Sequence, residues 1–352
     1  MNVSAQTTED KPLKIAIVGL VHGHVHGFLK DALSRPDMDV VGVYDEDDVL
    51  LQQYGDQYNV PAEIRYADLD KMFKEGKPDA ITLFTNTFDH KMMVEESARR
   101  GVHVMMEKPL AVNMEHANAM QKAAEAAGIH VLVNYETTWY ETNSHTYKLV
   151  KAGMLGDLRK IVVHDGHFGP KEIGVGEEFL EWLVDPVLNG GGALTDFGCY
   201  GANLMTWLLQ GETPKSVTAI SQQLKTDPVY ADVDDETTIM VEYENTMGII
   251  QASWNWPYHR KDMEVYGDLG LVIADRYKME MAPLDSPRET FKAAPLMSPM
   301  ADPLSYLKAV VRNEIKPAPH DLSSLENNMM VTRILDAARE SAATGKKIVF
   351  TN

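Results

Sequence analysis

The chain has 352 residues, of which 44% are hydrophobic and 24% are charged, and its formal net charge is −19. This length allows two domains with real cores, and the composition is that of a globular rather than a disordered protein. The negative charge argues against nucleic acid and an anionic membrane surface as partners and favours a small-molecule role. No apolar run reaches the roughly 18 residues of a membrane span, so we expect no membrane insertion. Cys199 is the only cysteine, which excludes an internal disulfide framework and a cysteine-based zinc site.

The first twelve residues carry no strand or helix pattern, and we expect residues 1–12 to form a flexible tail. Val3-Ser4-Ala5 before Gln6 resembles the small-residue cleavage end of a secretory signal, although no basic and apolar stretch precedes it. Two interpretations stay open. The tail belongs to a cytoplasmic protein, or the start is recorded downstream of a lost export signal, in which case the protein is exported or periplasmic.

From Leu13 to Asn134, short apolar runs alternate with helix-like segments. The runs predict buried parallel strands over Leu13–Val18, Met38–Tyr44, Ala80–Phe84, His103–Met106 and His130–Asn134. The segments between them predict helices over Val25–Ser34, Asp48–Tyr58, Asp68–Lys74, His90–Arg100 and Asn113–Ala127. This alternation predicts an α/β domain over residues 13–135, built on a doubly wound parallel sheet.

The turn after the first predicted strand reads Gly19-Leu20-Val21-His22-Gly23-His24. Against the dinucleotide fingerprint G-x-G-x-x-G only Gly19 is in place, since Val21 and His24 stand at the second and third glycine positions. The context nevertheless fits a dinucleotide site, because the glycine ends a strand and opens a helix, and Asp45 ends the second strand. Asp45 would accept hydrogen bonds from an adenosine ribose, and the acidic residues 46–48 would repel a 2′-phosphate. The pattern favours NAD over NADP, with a solvated acidic turn as the alternative.

Three histidines in this region, His22, His24 and His26, raise the hypothesis of a metal site. Alternate spacing across a loop does not bring side chains together as i, i+4 spacing on a helix does, and no carboxylate lies between them. We therefore expect no metal and interpret these donors as turn or phosphate-side contacts.

Polar residues also follow a later strand, where Thr85 and Asn86 precede His90. Their hydroxyl and amide groups would either face the cofactor or cap the next helix.

An apolar strand pattern beginning at Val102 runs straight into Glu107-Lys108-Pro109. Proline fixes its own φ and favours an extended conformation in the residue before it, so Lys108 is expected at the strand's carboxyl end with its ammonium in a defined direction. Open α/β sheets bind ligands at that end. Taken alone, the lysine is equally compatible with a solvated surface charge.

After Asn134 the alternation stops, and strand patterns follow a helix pattern near Thr142–Lys151. Several are joined by short polar turns, as antiparallel neighbours are. The predicted strands are Lys160–His164, Ser216–Gln223, Glu236–Tyr243, Gly248–Ser253, Asp262–Tyr266 and Leu271–Ala274. A helix over Leu322–Ala343 and a strand over Ile348–Phe350 complete a second, α+β domain over residues 136–352, with a large, mostly antiparallel open sheet.

The segment that begins at Gly190-Gly191-Gly192 continues as a helix pattern through Leu209. On one helix, Asp196, Tyr200 and Asn203 would share a face at i, i+4 and i+7. A carboxylate, a phenol and an amide arranged in this way form either a structural cluster or an acid–base constellation, and the residues alone do not separate the two.

These motifs together resemble the glucose–fructose oxidoreductase and inositol dehydrogenase (Gfo/Idh/MocA) family. The matches are the strand-turn-helix at the start, Glu107-Lys108-Pro109 after the fifth strand, and Gly-Gly-Gly-x-Leu-x-Asp-x-Gly-x-Tyr at 190–200. The resemblance implies an NAD-dependent oxidoreductase acting on a CH–OH group, with the substrate between the two domains. It also implies that Lys108 and Asp196 are catalytic. Many members carry histidine where Tyr200 stands, whereas glucose–fructose oxidoreductase and related sugar and dihydrodiol dehydrogenases carry tyrosine.

The mechanism implied is hydride transfer between a substrate carbinol carbon and nicotinamide. Tyr200, or Lys108 if desolvation depresses its pKa, would remove the hydroxyl proton, while Asp196 would orient the lysine and hydrogen-bond the substrate. A phenol with an ordinary pKa of ~10 is a slow base at neutral pH unless a cation such as Lys108 lowers it. Glu107 is interpreted as a cofactor-side or structural contact. The expected cofactor-binding residues are Gly19, Val21, His22, Gly23, His24, Asp45, Thr85, Asn86, His90, Glu107, Lys108 and Asn134.

The implied substrate is carbohydrate-like, and aromatic faces suit the apolar CH face of a pyranose. The candidate substrate contacts are Tyr135, His167, Trp182, Asn203, Trp256 and His259, each also compatible with a place in the core or an interface.

Three functions stay open: an NAD-dependent dehydrogenase of a sugar, polyol or glycoside; a redox-neutral glycoside-cleaving or epimerising enzyme with tightly bound NAD; and a non-catalytic NAD-binding regulator. The joint presence of Lys108, Asp196 and Tyr200 argues against the regulator. We also expect a homo-oligomer formed through the C-terminal sheet.

Overall fold

The computed structural model describes residues 11–351, and the expectations for residues 1–10, including the signal-like Val3-Ser4-Ala5, lie outside this range. The first domain contains a six-stranded parallel sheet. Its strands are β1 (Leu13–Val18), β2 (Met38–Tyr44), β3 (Arg65–Tyr66), β4 (Ala80–Leu83), β5 (His103–Glu107) and β6 (Val131–Asn134). The helices between them are α1 (Val25–Ser34), α2 (Asp48–Gln57), α3 (Leu69–Gly76), α4 (His90–Ala98) and α5 (Met114–Ala127).

The strand order β3-β2-β1-β4-β5-β6 is that of a doubly wound dinucleotide-binding fold. Successive residues of β1 serve opposite faces of the sheet, because side chains alternate along a strand. Leu13, Ile15 and Ile17 pack in one apolar layer and Ala16 and Val18 in the other. Helices therefore cover both faces, and the carboxyl ends of β1, β4 and β5 meet at one edge.

Local signals set the helix boundaries of this domain. The Asp47 side chain accepts the backbone N–H groups of Val49 and Leu50 at the start of α2, and Asn113 accepts that of His116 at the start of α5. Such caps satisfy donors that have no partner within the helix.

The second domain is built on a nine-stranded sheet in the order β14-β13-β12-β11-β7-β10-β9-β8-β15. Its strands are β7 (Leu158–Gly166), β8 (Ser216–Gln222), β9 (Glu236–Glu242), β10 (Met247–Ser253), β11 (Arg260–Gly267), β12 (Gly270–Asp275), β13 (Met279–Pro283), β14 (Glu289–Phe291) and β15 (Ile348–Val349). Only the β7–β10 pair is parallel among the pairs of this sheet that the structure describes. The predicted α+β architecture, with a large and mostly antiparallel sheet, is confirmed.

The remaining helices are α6 (Glu141–Lys151), α7 (Glu177–Leu183), α8 (Ala193–Asp196), α9 (Gly198–Leu208), α10 (Pro303–Val311) and α11 (Leu325–Thr344). Short 3-10 turns cover Ala62–Ile64, Glu136–Trp139 and Pro228–Tyr230. Helix α9 is buried along its whole length between the sheet and α11. This packing places the amino-terminal end of α9, with Tyr200, beside the first domain.

Two features differ from the sequence expectation. The helix predicted through Asp196 and Tyr200 is two helices, because α8 ends at Asp196 and Phe197 separates it from α9. In addition, α10 packs on the first sheet although it lies within the range assigned to the second domain. Its Leu304, Leu307 and Val310 complete the apolar layer that contains Leu13 and Ile15.

Within residues 11–351, no helix has the length and apolar character needed to cross a membrane.

Candidate active site

A cleft of about 450 Å³ opens between the two domains at the carboxyl edge of the first sheet. The first domain contributes the turn after β1, from His22 to His26, together with Lys108. The second domain contributes Asp196, Tyr200 and Lys261, along with residues of the loop around α7. The volume lies within the range of small-molecule sites.

The centre of the cleft is an ion pair between Lys108 and Asp196, both almost fully buried. The Lys108 ammonium donates to Asp196 Oδ1 and, at 3.2 Å, to the Asp196 carbonyl oxygen. Lys108 follows β5 and Asp196 ends α8, so the pair joins the domains. The structure therefore brings together the two residues that the sequence motifs single out.

The electrostatics of this pair contradict one sequence expectation. Burial alone would lower the pKa of Lys108, but the Asp196 carboxylate outweighs burial and raises it above its ordinary value. Burial likewise acts to raise the pKa of Asp196, and Lys108 more than reverses this effect. Desolvation does not make Lys108 a neutral base, because its partner lies in direct contact. Lys108 is an ammonium and can act as an acid.

Trp254, which follows β10, is a further part of this centre. Its indole Nε1–H donates to Asp196 Oδ2 at 3.0 Å, and the side chain is fully buried. The carboxylate is thus held from two sides, by Lys108 and by an indole. The sequence analysis named the neighbouring Trp256 instead, since nothing in the strand pattern distinguishes the two tryptophans.

Tyr200 lies near two ammonium groups. Lys261 Nζ is 4.2 Å and Lys108 Nζ is 5.3 Å from the centroid of its ring. Burial, with the nearby carboxylates of Asp165 and Glu136, nevertheless holds the pKa of Tyr200 well above its ordinary value. The condition under which Tyr200 would be an effective base, a pKa lowered by Lys108, is therefore not met, because desolvation of the phenolate outweighs the cation. Tyr200 holds its proton at neutral pH.

Lys261, Glu136 and Asp165 form a second charged cluster that sequence reasoning missed. Lys261 Nζ lies 2.9 Å from Glu136 Oε2 and 3.7 Å from Asp165 Oδ2. Burial acts to raise the pKa of Glu136, but Lys261 and other partners lower it to about 2. Burial raises the pKa of Asp165 to about 8. Only the pairing of β7 with β11, which sets Asp165 opposite Lys261, could reveal this cluster.

His167 and His259 line the same cleft as Asp196, with their ring centroids 5.4 Å apart. Burial lowers the pKa of His167 to about 4, so its ring is neutral at physiological pH. His167 Nδ1 accepts the backbone N–H of Gly169 at 2.9 Å. This contact assigns the ring proton to Nε2, which makes His167 a neutral hydrogen-bond donor.

The turn after β1 has the features of a diphosphate site. Gly19 has φ +83°, and a Cβ there would lie 2.6 Å from the backbone nitrogen of Thr85, so only glycine fits. Within residues 11–351 the backbone N–H groups of Val21 and Gly23 have no hydrogen-bond partner. Unpaired donors at a helix amino terminus suit an anionic diphosphate. The residues present therefore fit a dinucleotide.

Asp45, at the end of β2, is buried beside this turn and accepts the backbone N–H groups of Leu20 at 2.7 Å and Asp47 at 2.9 Å. Each carboxylate oxygen keeps further acceptor capacity for a ribose hydroxyl. Asp47 has a structural role, because it caps α2.

The three neighbouring histidines contact different side chains. The rings of His22 and His24 have centroids 4.7 Å apart, whereas His26 stacks on Tyr54 of α2. With Glu107, His22 and His24 place one potential ligand atom each within 4.8 Å of one another. The argument that alternate spacing keeps these side chains apart is thus wrong for His22 and His24.

The Glu107 carboxylate already has protein partners. Its Oε2 accepts from His24 Nδ1 at 3.0 Å, and its Oε1 accepts from Asn134 Nδ2 at 2.8 Å. Trp139 Nε1 donates to the Asn134 amide oxygen at 2.9 Å. Glu107 and Asn134 therefore position the turn and the end of β6.

The loop after β4 combines capping with a buried histidine. The Asn86 amide oxygen accepts the backbone N–H of Asp89, and the Thr85 hydroxyl donates to the Asn86 carbonyl, so both side chains shape the turn. His90 is buried with Nδ1 at 3.2 Å from the Leu110 carbonyl, while its Nε2 has no hydrogen-bond partner. Burial lowers the pKa of His90 to about 4, which leaves Nε2 as a neutral acceptor.

Four of the six residues named for substrate contact lie away from the cleft lining. Tyr135 is fully buried behind Tyr200, and Asn203 donates to the Leu322 carbonyl beside α11. Asn203 does not share a face with Asp196, because the helix is interrupted. Trp256 packs over Gly166, and Trp182 donates to the Val21 carbonyl at 3.2 Å, which places it at the nucleotide turn. His167 and His259 do line the cleft.

The strand order, the glycine turn after β1 and the acidic residue ending β2 define a dinucleotide-binding oxidoreductase with a second, substrate-side domain. The chain belongs to the GFO/IDH/MocA oxidoreductase family. The family's NAD-binding Rossmann fold matches residues 13–135, and its C-terminal domain matches residues 144–273.

Individual relatives are distant. The chain is 24% identical over 229 residues to a trans-1,2-dihydrobenzene-1,2-diol dehydrogenase from Macaca fuscata fuscata, and this alignment spans 65% of the chain and 64% of the relative. An aldose-aldose oxidoreductase from Caulobacter crescentus, solved with glycerol, superposes with a TM-score of 0.82 at 23% identity, covering 97% of this chain and 100% of that one. An inositol dehydrogenase homologue from Azotobacter vinelandii, solved with NAD+, gives a TM-score of 0.81 at 19% identity, covering 97% and 98%.

Proposed function

We propose that the protein transfers a hydride between nicotinamide and a hydroxyl-bearing carbon of a neutral sugar, polyol or glycoside, with NAD as cofactor. The observation that carries this proposal is the Lys108–Asp196 pair. It joins the two domains within a cleft that begins at the nucleotide turn.

When bound, the nicotinamide would accept or donate the hydride. Lys108 and Tyr200 both hold their protons, so each can donate a hydrogen bond to the substrate oxygen that gains or loses charge. Asp196 fixes the direction of the ammonium, and His167 offers a further donor through Nε2. In the direction of carbonyl reduction, these groups supply the proton.

The charge balance of the cleft favours a neutral substrate. Asp196 pairs with Lys108, and Glu136 pairs with Lys261, so both ammonium groups already have anionic partners. An anionic substrate group would have to compete with these carboxylates. Hydroxyl groups, in contrast, can both donate and accept among the lysines, carboxylates and imidazoles. The sugar and diol substrates in the names of the relatives are consistent with this class.

The cofactor preference follows from Asp45 and the acidic residues 46–48 after β2, which would repel the 2′-phosphate of NADP. We expect tighter binding of NAD by at least about tenfold, since like charges at such a site cost more than about 1.4 kcal/mol. Titration of intrinsic fluorescence with each dinucleotide measures this ratio, and a preference for NADP would refute the role of Asp45.

A redox-neutral reaction with retained NAD is the second candidate, and α7 favours it. This helix of the second domain packs on the nucleotide turn through Phe179, whose ring centroid is 4.6 Å from that of His22. Glu178 accepts the hydroxyl of Tyr54, on α2, at 2.7 Å. Such a cover would slow cofactor exchange.

One experiment tests both candidates. The purified protein is denatured and the supernatant analysed for NAD, and the native protein is then incubated with a panel of sugars, polyols and glycosides. Stoichiometric reduction of added NAD supports the dehydrogenase. Conversion of a glycoside without net NADH supports the redox-neutral enzyme. No turnover of any panel member, with no dinucleotide binding, would overturn the proposal.

We further propose that the chain forms a homo-oligomer through the uncovered face of the nine-stranded sheet. Apolar side chains on this face, including Ile220 and Met240, are exposed. Sedimentation equilibrium tests this, with Ile220→Lys expected to weaken the assembly.

A further inference from the structure

Beside Tyr200, the second sheet carries an acid–base cluster that the mechanism above does not use. Asp165 and Lys261 are directly opposed on the antiparallel strands β7 and β11. The Lys261 ammonium lies 2.9 Å from Glu136 and 3.7 Å from Asp165 Oδ2. It also lies over the ring of Tyr200. The Tyr200 ring thus lies near the lysines of two lysine–aspartate pairs.

The carboxyl group of Asp165 lacks hydrogen-bond partners within the protein for one of its oxygens. Its side chain is only 2% exposed, and Oδ2 has no hydrogen-bond partner. A buried carboxylate oxygen without a hydrogen bond is costly, so the group needs either a proton or a water molecule.

A small cavity beside Asp165 meets this need. It has a volume of about 10 Å³ and is lined by Asp165, Thr137, Tyr200 and Lys261. The Thr137 hydroxyl is also buried without a hydrogen-bond partner. This size matches about one water molecule, and the unpartnered Asp165 and Thr137 oxygens supply polar contacts for it.

The reaction also needs a proton acceptor that the cleft has not yet supplied. Oxidation of a hydroxyl releases one proton, but Lys108 and Tyr200 both hold theirs at neutral pH. Tyr200 lines both the cleft and the small cavity, so it connects the substrate side with Asp165.

We propose that Tyr200, a water molecule in the small cavity and Asp165 form a proton relay, with Lys261 holding the Asp165 end in place. This proposal rests on the proposed function, because it assigns the destination of the substrate's hydroxyl proton.

The step balances as follows. The substrate C–H bond breaks and its electron pair leaves as hydride for the nicotinamide named in the proposed function, while the carbonyl π bond forms from the O–H electron pair. The hydroxyl proton passes to the Tyr200 oxygen as the tyrosine's own proton passes to the cavity water. The water gives one proton to the Asp165 carboxylate, so that one O–H bond forms for each that breaks.

The electrostatic setting gives this relay a defined pH dependence. Burial raises the pKa of Asp165 to about 8; Lys261 and Lys108 act to lower it, and Asp196 and Glu136 act to raise it. The facing helix α9 contributes two titratable groups, the phenol of Tyr200 and the thiol of Cys199, whose pKa burial raises to about 12. The accepting carboxylate therefore forms as pH rises through about 8, so oxidation accelerates in that interval.

The first test compares pH profiles of kcat/KM for oxidation in the wild type and in Asp165→Asn. We expect the wild-type inflection near pH 8 to disappear and the plateau rate to fall about 100-fold, since acid–base groups contribute on this scale. Glu264→Gln is the matched control, because Glu264 is on β11 with its side chain on the opposite face from Lys261. An unchanged profile in Asp165→Asn would overturn the relay.

Two variants of Lys261 distinguish a positioning role of this residue from a purely structural one. Lys261→Met removes the cation that favours the carboxylate, so the inflection should move to higher pH. Lys261→Arg keeps the charge and should restore the wild-type position. A loss of activity in both variants without movement of the inflection would contradict the proposal.

A measurement without cofactor or substrate distinguishes failure of the relay from failure of the proposed function. A protonated buried carboxyl has an infrared C=O absorption that a carboxylate lacks. The difference spectrum between wild type and Asp165→Asn should show this band disappearing as pH rises through about 8, and Tyr200→Phe should shift the band through the shared water. With no titrating band the relay is refuted whatever the substrate panel shows, whereas a titrating band beside an inactive panel refutes only the proposed function.

Discussion

Two lysine–aspartate pairs of the same chemical types lie in or beside the cleft, and they behave differently. Lys108 and Asp196 are in direct contact, with Trp254 as a third partner, and burial does not prevent both from being charged. Lys261 and Asp165 are 3.7 Å apart with no hydrogen bond between them, and Lys261 is in closer contact with Glu136. The first pair is a fixed ion pair that joins the domains, whereas the second leaves an aspartate that titrates near physiological pH.

This difference shows how geometry divides the tasks of one site. A carboxylate in contact with an ammonium gains enough Coulomb energy to offset its desolvation, while one that lacks this contact favours its protonated form. Asp196 can therefore orient the ammonium at every physiological pH. Asp165 is free to exchange a proton.

Removal of the ammonium of the first pair should have the largest effect on catalysis. We expect Lys108→Met to lower kcat/KM by about 1,000-fold or more, because the substrate oxygen loses its charged donor and Asp196 its partner. NAD binding, measured by fluorescence titration, should persist. Lys91→Met, on the surface of α4, is the matched control. Full activity in Lys108→Met would remove the pair from the mechanism.

The two aspartates should change stability in opposite directions with pH. Asp196, whose pKa is lowered by folding, contributes stability above its unfolded pKa of about 4 that is lost as pH falls further. Asp196→Asn should therefore destabilise the protein at neutral pH by about 3 kcal/mol, since it leaves a buried ammonium unpaired.

Asp165, whose pKa is raised by folding, contributes stability that is present below its unfolded pKa of about 4 and lost as pH rises through about 8. Asp165→Asn should become more stable relative to the wild type over this interval. Urea unfolding of both variants at acidic, neutral and mildly alkaline pH measures how each substitution changes the pH dependence of the free energy of unfolding. Changes of the same sign in both variants would contradict the difference between the two pairs.

Loss of the indole donor should have a smaller effect. Trp254→Phe removes the hydrogen bond to Asp196 Oδ2 but keeps an aromatic ring, so we expect kcat to fall about tenfold, in line with the loss of one hydrogen bond to a charged group. KM should change less than kcat, because Asp196 acts through Lys108. An equal fall caused by Trp256→Phe would show that the effect is not specific to the carboxylate.

The smallest effect is expected at the cover of the nucleotide turn. Phe179→Ala should accelerate NAD dissociation several-fold by removing apolar contact with His22 and Gly23, and it should leave the chemical step unchanged. Stopped-flow displacement of bound NAD measures the rate. Val187→Ala, at an exposed position after α7, provides the control.

Where neighbours in sequence decide the structure, the sequence analysis was accurate. The bounds of β1, α1 and β2 agree with the predicted runs, because a short apolar run, a glycine turn and a proline after Arg35 are local signals. The parallel first sheet and the mostly antiparallel second sheet followed from the spacing of such runs, although the short strand β3 and the strands β13 and β14 were not predicted. Lys108 and Asp196 were singled out by motifs, and the structure brings them into contact.

What could not be predicted depends on long-range register. Lys261 faces Asp165 only because β11 pairs with β7, and no local pattern in either strand marks that pairing. The break at Phe197, which removes Asn203 from the site, interrupts a pattern that is helical on both sides. The directions of the pKa shifts at Lys108 and Tyr200 depend on burial and on contact distances, and neither can be read from the sequence.

The return of α10 to the first sheet has a consequence for synthesis of the protein. Leu13, Ile15 and Ile17 are translated long before part of their cover, which is supplied by Leu304, Leu307 and Val310. The Arg35 side chain likewise contacts Asp302 and Ser305, at 2.7 and 2.8 Å, and both residues are translated much later. The nucleotide-binding half therefore cannot finish folding during its own translation, although amino-terminal domains generally fold first. A fragment ending at residue 135 would expose this apolar layer. The first domain therefore completes its folding only after the segment that contains α10 has been synthesised.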